Sequence, residues 1–177
     1  MSIRHAVPSD ASAIALVHVQ SWQSGYRDYF PAEFLGALDP SQKALAWSEI
    51  LSQSDLDIFV SERDGGISGF TVLAPSRDSV ASPETGEIQS IYVLPEHWRC
   101  GIGRELVRTV LSRALERRFD KVTLWVLEAN IGARSFYEQS GFTLDGAKKT
   151  ERLTSQVDLK QVRYCLDLSG VSGRADR

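Results

Sequence analysis

Cysteine is scarce in this chain: Cys100 and Cys165 are the only two among 177 residues. Two are too few for a disulfide framework and fit a reducing compartment. Long apolar runs are missing as well. The opening MSIRHAVPSDASAIALVHVQ is too short and too interrupted for a secretion signal, and no later stretch reaches membrane-spanning length. A cytoplasmic protein that engages no membrane is therefore expected. Neither sign of charge dominates. The 20 Lys and Arg are interspersed with 23 Asp and Glu, and the net charge of -3 leaves no broad field to attract a polyanion, so no nucleic-acid partner is expected. The three histidines, His5, His18 and His97, and the two cysteines do not fall at metal-ligand spacing, and no metal is expected. What is present, 42% hydrophobic and 24% charged residues, is the composition of one ordinary globular domain. That domain is expected over residues 1–168, with a frayed tail over 169–177.

Apolar periodicity and turn residues divide the chain into elements. Ser2 to Val7 reads as a short strand, and Pro8, Ser9 and Asp10 then open a helix through Ala13 to Trp22 that ends near Gly25. Helical patterns at Glu33 to Leu38 and after Pro40 follow. Two strands, Asp57 to Glu62 and Ser68 to Ala74, are joined by Asp64, Gly65 and Gly66, residues that tolerate the positive φ a hairpin turn requires. A polar loop, Pro75 to Thr85, leads to a strand at Glu87 to Val93. The helix Gly101 to Arg118 carries Leu106, Val107, Val110, Leu111, Ala114 and Leu115 on one face. After it come a buried strand at Lys121 to Leu127, a short helix at Asn130 to Gln139 closed by Gly141, and a strand from Phe142. A charged span, Lys148 to Asp158, precedes a last strand pattern at Lys160 to Leu168.

The turn WRCGIGREL attracts attention because Gly101 and Gly103 lack Cβ atoms and stand where a helix begins. Backbone N–H groups of a first helical turn have no partner one turn back, and the helix dipole favours negative charge there. Arg99 and Arg104 add positive charge at the rim. A pyrophosphate suits such a place, yet a Gly-x-Gly before a helix is equally the tight turn of an ordinary helix start. Two other nucleotide motifs fail. A Walker loop needs Lys and Ser or Thr after its last glycine, and here Arg104 and Glu105 follow Gly103. A dinucleotide fingerprint needs a third glycine where Leu106 stands and a first glycine directly after the strand, whereas seven residues separate Val93 from Gly101.

The company this turn keeps is specific. IQSIYVLPEHWRCGIGREL followed by LEANIGARSFYEQSGF, with Asn130, Ala133, Tyr137, Gly141 and Phe142 at fixed spacing, resembles the GNAT superfamily of N-acetyltransferases. The resemblance covers Gly86 to Phe142 closely. It implies an α/β fold with a mixed, mainly antiparallel sheet of six to seven strands and helices on both faces. It also implies acetyl-CoA as co-substrate, held at Arg99, Gly101, Ile102, Gly103 and Arg104 and along the strand end Ile91, Tyr92 and Val93. The one departure stands at Trp98, where the family often has Gln or Arg.

Acyl transfer from a thioester to an amine needs a deprotonated amine, a polarised carbonyl and a proton for the departing thiolate. A phenol with a reference pKa of about 10 stays protonated at neutral pH, which makes Tyr137 the candidate acid; the other reading is a packing tyrosine beside Phe136. Glu87 is the candidate base, at a position that carries one in several members of the family, against the reading of a solvated glutamate at a strand edge. Asn130 suits the cap of the last helix, and the resemblance has it face the cofactor too. Trp22, Tyr26 and Tyr29, with Phe30, are either helix packing or the lining of an acceptor pocket. Cys100 next to a helix start raises a covalent acyl-cysteine route, but no convincing base accompanies it. The expected activity is transfer of an acetyl group to a primary amine, on a small molecule or a peptide, by direct attack in a ternary complex. A module that binds acyl-CoA without turnover and an enzyme using a longer acyl donor stand as alternatives, and a homodimer is an open expectation.

Overall fold

A computed structural model describes residues 1–52, 55–154 and 157–170. Seven strands form one mixed sheet in the order β1-β2-β3-β4-β5-β7-β6. They are β1 Ser2–His5, β2 Asp57–Arg63, β3 Gly66–Pro75, β4 Thr85–Val93, β5 Lys121–Leu127, β6 Thr143–Thr154 and β7 Val157–Asp167. The helices are α1 Ala11–Gly25, α2 Ala32–Gly36, α3 Pro40–Ile50, α4 Ile102–Glu116 and α5 Ile131–Gln139. Pairing is antiparallel throughout the described register except between β4 and β5, where Thr85–Ile88 run parallel to Lys121–Leu124. The expected α/β sheet is therefore present, with seven strands. By backbone proximity the chain divides into two compact units: one holds Met1–Leu73 and Ser90–Val110, the other Ala74–Gln89 and the chain from Leu111 on.

In the first unit, β2 and β3 form the expected hairpin because Asp64 (φ 53°) and Gly65 (φ 83°) both take the left-handed conformation that a two-residue turn demands. Helix α1 is longer than its apolar run because a single 3-10 turn at Pro8–Asp10 feeds it. Asp10 fastens that junction, accepting from the Val7 N–H at 2.8 Å and from Arg4 at 2.6 Å, and the guanidinium holds its carboxyl below the usual range. Pro40 opens α3, whose first turn is capped by Asp39 accepting from the Ser41 N–H. Ile14, Ala15 and Val17 of α1, Trp47 of α3, and Val60, Phe70 and Val72 of the hairpin make the core.

In the second unit, Val122, Leu124 and Val126 of β5 and Val162 and Tyr164 of β7 are buried together with Phe142. Helix α5 ends as its glycine foretold. Gly141 is left-handed (φ 92°), its N–H bonds the Glu138 carbonyl, and the Phe142 N–H bonds the Tyr137 carbonyl, turning Phe142 into the core. Helix α4 stops at Glu116 rather than Arg118, because Arg118 takes φ 60° and the Phe119 N–H closes back on the Ala114 carbonyl. Phe119 then lies against Gly86, where a Cβ would meet its ring at 2.6 Å.

The strand expected from Phe142 extends into the charged span: β6 runs to Thr154 and pairs with β7 from Thr143↔Cys165 to Thr154↔Val157. The reason is the place of β6 at the sheet's edge, where side chains meet water and charge blunts pairing with another chain. Lys148 and Arg152 satisfy themselves on Glu128 and Asp158. Of the tail expected to fray, residues 171–177 lie outside the described residues.

Candidate functional site

The glycine turn lies in the first unit. Strand β4 ends at Val93, a 3-10 turn at Pro95–His97 reverses the chain, and the loop from Trp98 to Gly101 opens α4. Gly101 has φ 85° with open space where a Cβ would stand, so conformation and not crowding requires glycine there. Arg99 is also left-handed, at φ 61°. The helical ladder begins with the Glu105 N–H on the Gly101 carbonyl at 3.1 Å, so the N–H groups of Ile102, Gly103 and Arg104 precede it. The side chain of Ile102 is buried, which pins this first turn in the core while Arg99, Cys100 and Arg104 remain exposed.

Three elements converge on the end of β4. The Val93 carbonyl accepts from the Trp98 indole N–H at 2.7 Å and from the Ser21 hydroxyl of α1 at 2.9 Å. The Leu94 N–H donates to the Ser68 carbonyl, and Thr71 donates to the Ser90 carbonyl. At Gly69 in β3, a Cβ would come within 2.9 Å of the Tyr92 carbonyl oxygen and 3.3 Å of Ile102, so only glycine lets strand and helix start approach this closely.

Beside this end stands an aromatic cluster. The rings of Trp22 and Tyr26 are 4.9 Å apart, those of Tyr26 and Tyr29 are 6.5 Å apart, and Phe30 stacks on Trp22 at 6.0 Å. Tyr92 lies at its inner margin, stacked on His18 at 5.0 Å, and burial pushes the Tyr92 hydroxyl up from its ordinary pKa. His18 accepts from the Trp47 indole N–H, and burial lowers its pKa to about 4, so the imidazole is neutral at pH 7.

The second unit holds Glu87, Asn130 and Tyr137. Glu87, near the start of β4, is 1% exposed, and its carboxylate is hydrogen-bonded by Arg77. Arg77 donates its backbone N–H to Oε2 at 3.0 Å and its guanidinium to Oε1 at 2.6 and 3.3 Å. Asn130 caps α5 by accepting from the Ala133 N–H at 3.0 Å. Tyr137 is buried on α5 among Phe136, Phe142 and Tyr164, at ring separations of 5.3, 6.2 and 6.3 Å. Tyr164, fully buried, donates to Glu138 at 2.6 Å and accepts from Arg134, tying α5 to β7 at both ends of its hydroxyl.

A sequence model of the acetyltransferase (GNAT) family matches residues 19–142. The chain belongs to this family. Among its GNAT relatives is the uncharacterized N-acetyltransferase YuaI of Bacillus subtilis (strain 168), 31% identical over 131 residues that cover 73% of each chain. The probable N-acetyltransferase Rv2775 of Mycobacterium tuberculosis is 28% identical over 174 residues, covering 97% of this chain and 96% of that one. The PaiA N-acetyltransferase of Thermoplasma acidophilum, solved in complex with coenzyme A, shares the fold with a TM-score of 0.69 at 18% identity, over 92% of this chain and 96% of that one.

For a GNAT acetyltransferase, the residues singled out in the sequence now have places. Trp22 and Tyr29 both pack against Tyr26. Ile91, Tyr92 and Val93 form the end of β4, and Arg99 to Arg104 the turn that follows. Glu87 is not a solvated edge residue but a buried carboxylate. Sequence reasoning missed Gly69, although a glycine inside a strand pattern signals close backbone approach, and it missed Arg77, for which no local pattern exists. Among the described residues no helix is long and apolar enough to cross a membrane, and no group of three or more His, Cys, Asp and Glu side chains is gathered as a metal would need.

Proposed function

We propose that this GNAT acetyltransferase moves the acetyl group of acetyl-CoA to a primary amine by direct attack in a ternary complex. The observation that carries the reading is the turn at Gly101: a left-handed glycine with open space beside it, followed by N–H groups ahead of the helical ladder and by Arg104. Such a turn fits a pyrophosphate. The coenzyme A bound to the Thermoplasma PaiA enzyme supports the same carrier here.

Each residue then has a task. The amides after Gly101 hold the phosphates, with Arg99 and Arg104 as rim charge, and Ile102 anchors the turn. The backbone of Ile91, Tyr92 and Val93 is the segment offered to the pantetheine arm, in the manner of an added strand. When bound, acetyl-CoA supplies an activated acetyl thioester. Glu87 takes the proton that the acceptor ammonium must lose before its nitrogen can attack, directly or through a water. Tyr137 gives its phenolic proton to the sulfur as the carbon–sulfur bond breaks and regains one from the acylated nitrogen, and Asn130 fixes the helix start that carries Tyr137. Trp22, Tyr26 and Tyr29 line the acceptor side. The chain's contribution is positioning, desolvation and proton transfer. None of these steps calls for a metal.

The test is a thiol-release screen with acetyl-CoA across alkylamines, polyamines, amino acids and peptide N-termini, with propionyl-CoA and succinyl-CoA run beside it. Amine-dependent release that is fastest with the acetyl donor is expected, and Glu87→Gln is expected to lower it about 10²-fold or more. Thermal protection by coenzyme A without release from any amine would instead favour a binding module without turnover.

A further inference from the structure

We infer that Arg77 is a displaceable cap on Glu87, occupying the place of the acceptor's ammonium group, so that the acceptors of this enzyme are protonated alkylamines. This rests on the reading of Glu87 as the base. Glu87 is buried, with its side chain 2% exposed, while the Arg77 side chain that meets it is 62% exposed. A buried carboxylate is costly without a cation, and here the cation arrives from the solvent side on a loop residue rather than from the sheet.

The two carboxylate oxygens are held differently. Oε2 takes the backbone N–H of Arg77 at 3.0 Å, whereas Oε1 takes only guanidinium nitrogens, at 2.6 and 3.3 Å. The backbone contact is fixed by the next residue. Asp78 accepts from the Trp125 indole N–H of β5 at 3.2 Å and from Arg163 of β7 at 2.8 Å, and Arg163 is held in turn by Asp145 at 2.7 Å. These partners are largely buried: the Asp78, Arg163 and Asp145 side chains are 18 to 20% exposed. The loop therefore stays in place when the guanidinium swings into water. What leaves is one exposed side chain, and what it uncovers is Oε1 of a buried anion whose other oxygen keeps its N–H.

Oε1 then has the chemistry to receive an alkylammonium and the basicity to deprotonate it. The carboxylate gains the proton, becoming a carboxylic acid, and the ammonium becomes the neutral amine whose lone pair attacks. No charge is created or lost in the pair. A neutral acceptor can offer Oε1 a hydrogen bond but no charge to replace that of Arg77, which sets the specificity.

The test measures steady-state thiol release with acetyl-CoA and n-butylamine, or whichever alkylamine the screen ranks highest, in wild type, Arg77→Gln and Arg77→Lys. Removal of a competing exposed ion pair is expected to lower the amine KM of Arg77→Gln about two- to fivefold, with Arg77→Lys close to wild type. Guanidinium ion at low millimolar concentration is expected to inhibit Arg77→Gln competitively against the amine and to inhibit wild type less. An amine KM that is unchanged or raised in Arg77→Gln, guanidinium inhibition that is not competitive, or an Arg77→Gln variant that does not fold would each overturn the inference and make the pair part of the scaffold. Those outcomes leave the acetyl-transfer reading standing. Absence of thiol release by wild type with any amine would overturn both.

Discussion

The indole N–H of Trp98 donates to the carbonyl of Val93 at 2.7 Å, joining the first residue of the glycine loop to the last residue of β4. This is what the departure from the family's usual Gln or Arg accomplishes. The ring also lies over Gly25 at the end of α1, 3.9 Å from where a Cβ would be. Trp98→Phe keeps a ring there and removes the donor. A hydrogen bond of this kind contributes about 0.5–1.5 kcal/mol, so the dissociation constant for coenzyme A is expected to rise about two- to tenfold by calorimetry, with the melting temperature changing little. An unaltered affinity would show that the loop holds its shape without the indole.

Tyr137 is placed as a proton donor by its motif and as a core residue by its neighbours, and the two roles separate kinetically. Tyr137→Phe preserves the packing on Phe142 and Tyr164 but removes the hydroxyl. Turnover is expected to fall about 10²- to 10⁴-fold while coenzyme A affinity stays within a few-fold of wild type. Equal turnover would assign Tyr137 to packing alone.

His18 makes the fold acid-sensitive. The folded state resists protonating this imidazole down to a pH of about 4, whereas the unfolded chain protonates it near the ordinary value of 6.5. Acid therefore favours the unfolded chain through that window, and the stability is fully present above it. At roughly 1.4 kcal/mol per pH unit, urea titrations at pH 7 and pH 5 are expected to differ by about 2 kcal/mol more in wild type than in His18→Gln. Identical differences in the two proteins would place the acid sensitivity elsewhere.

Gly69 connects packing to the proposed donor site. Gly69→Ala drives a methyl group into the Tyr92 carbonyl and the side chains of Val93 and Ile102, and backbone on one side cannot yield as a side-chain tip would. A loss of about 1–3 kcal/mol in denaturant titration is expected, together with weaker coenzyme A binding. A variant as stable as wild type would mean that β3 shifts freely beneath β4.

Where local chemistry decides the structure, the sequence was enough. Asp64-Gly65 had to turn left-handed, Gly141 had to close α5, and Asn130 had to cap it, because each conformation or bond involves residues within a few positions of one another. The start of β6 was legible after Gly141 but its charged length was not, since alternation of apolar and polar residues marks a half-buried strand, and an edge strand bearing Lys148, Lys149, Glu151 and Arg152 has little of it. The partner of Glu87 escaped for a different reason. Arg77 lies ten residues upstream in a polar loop, and nothing in its neighbours distinguishes it from a solvated arginine; the bond exists because Asp78 is tied to Trp125 and Arg163, which are remote in sequence.

The grip of the Gly101 turn on a pyrophosphate is tested most directly by isothermal titration of the purified protein with coenzyme A, beside a Gly101→Val variant. One binding event per chain is expected in wild type. In the variant it should weaken at least tenfold, because a β-branched residue at φ 85° is strained and the turn must open. No heat from coenzyme A in wild type, or equal binding by Gly101→Val, would contradict the account.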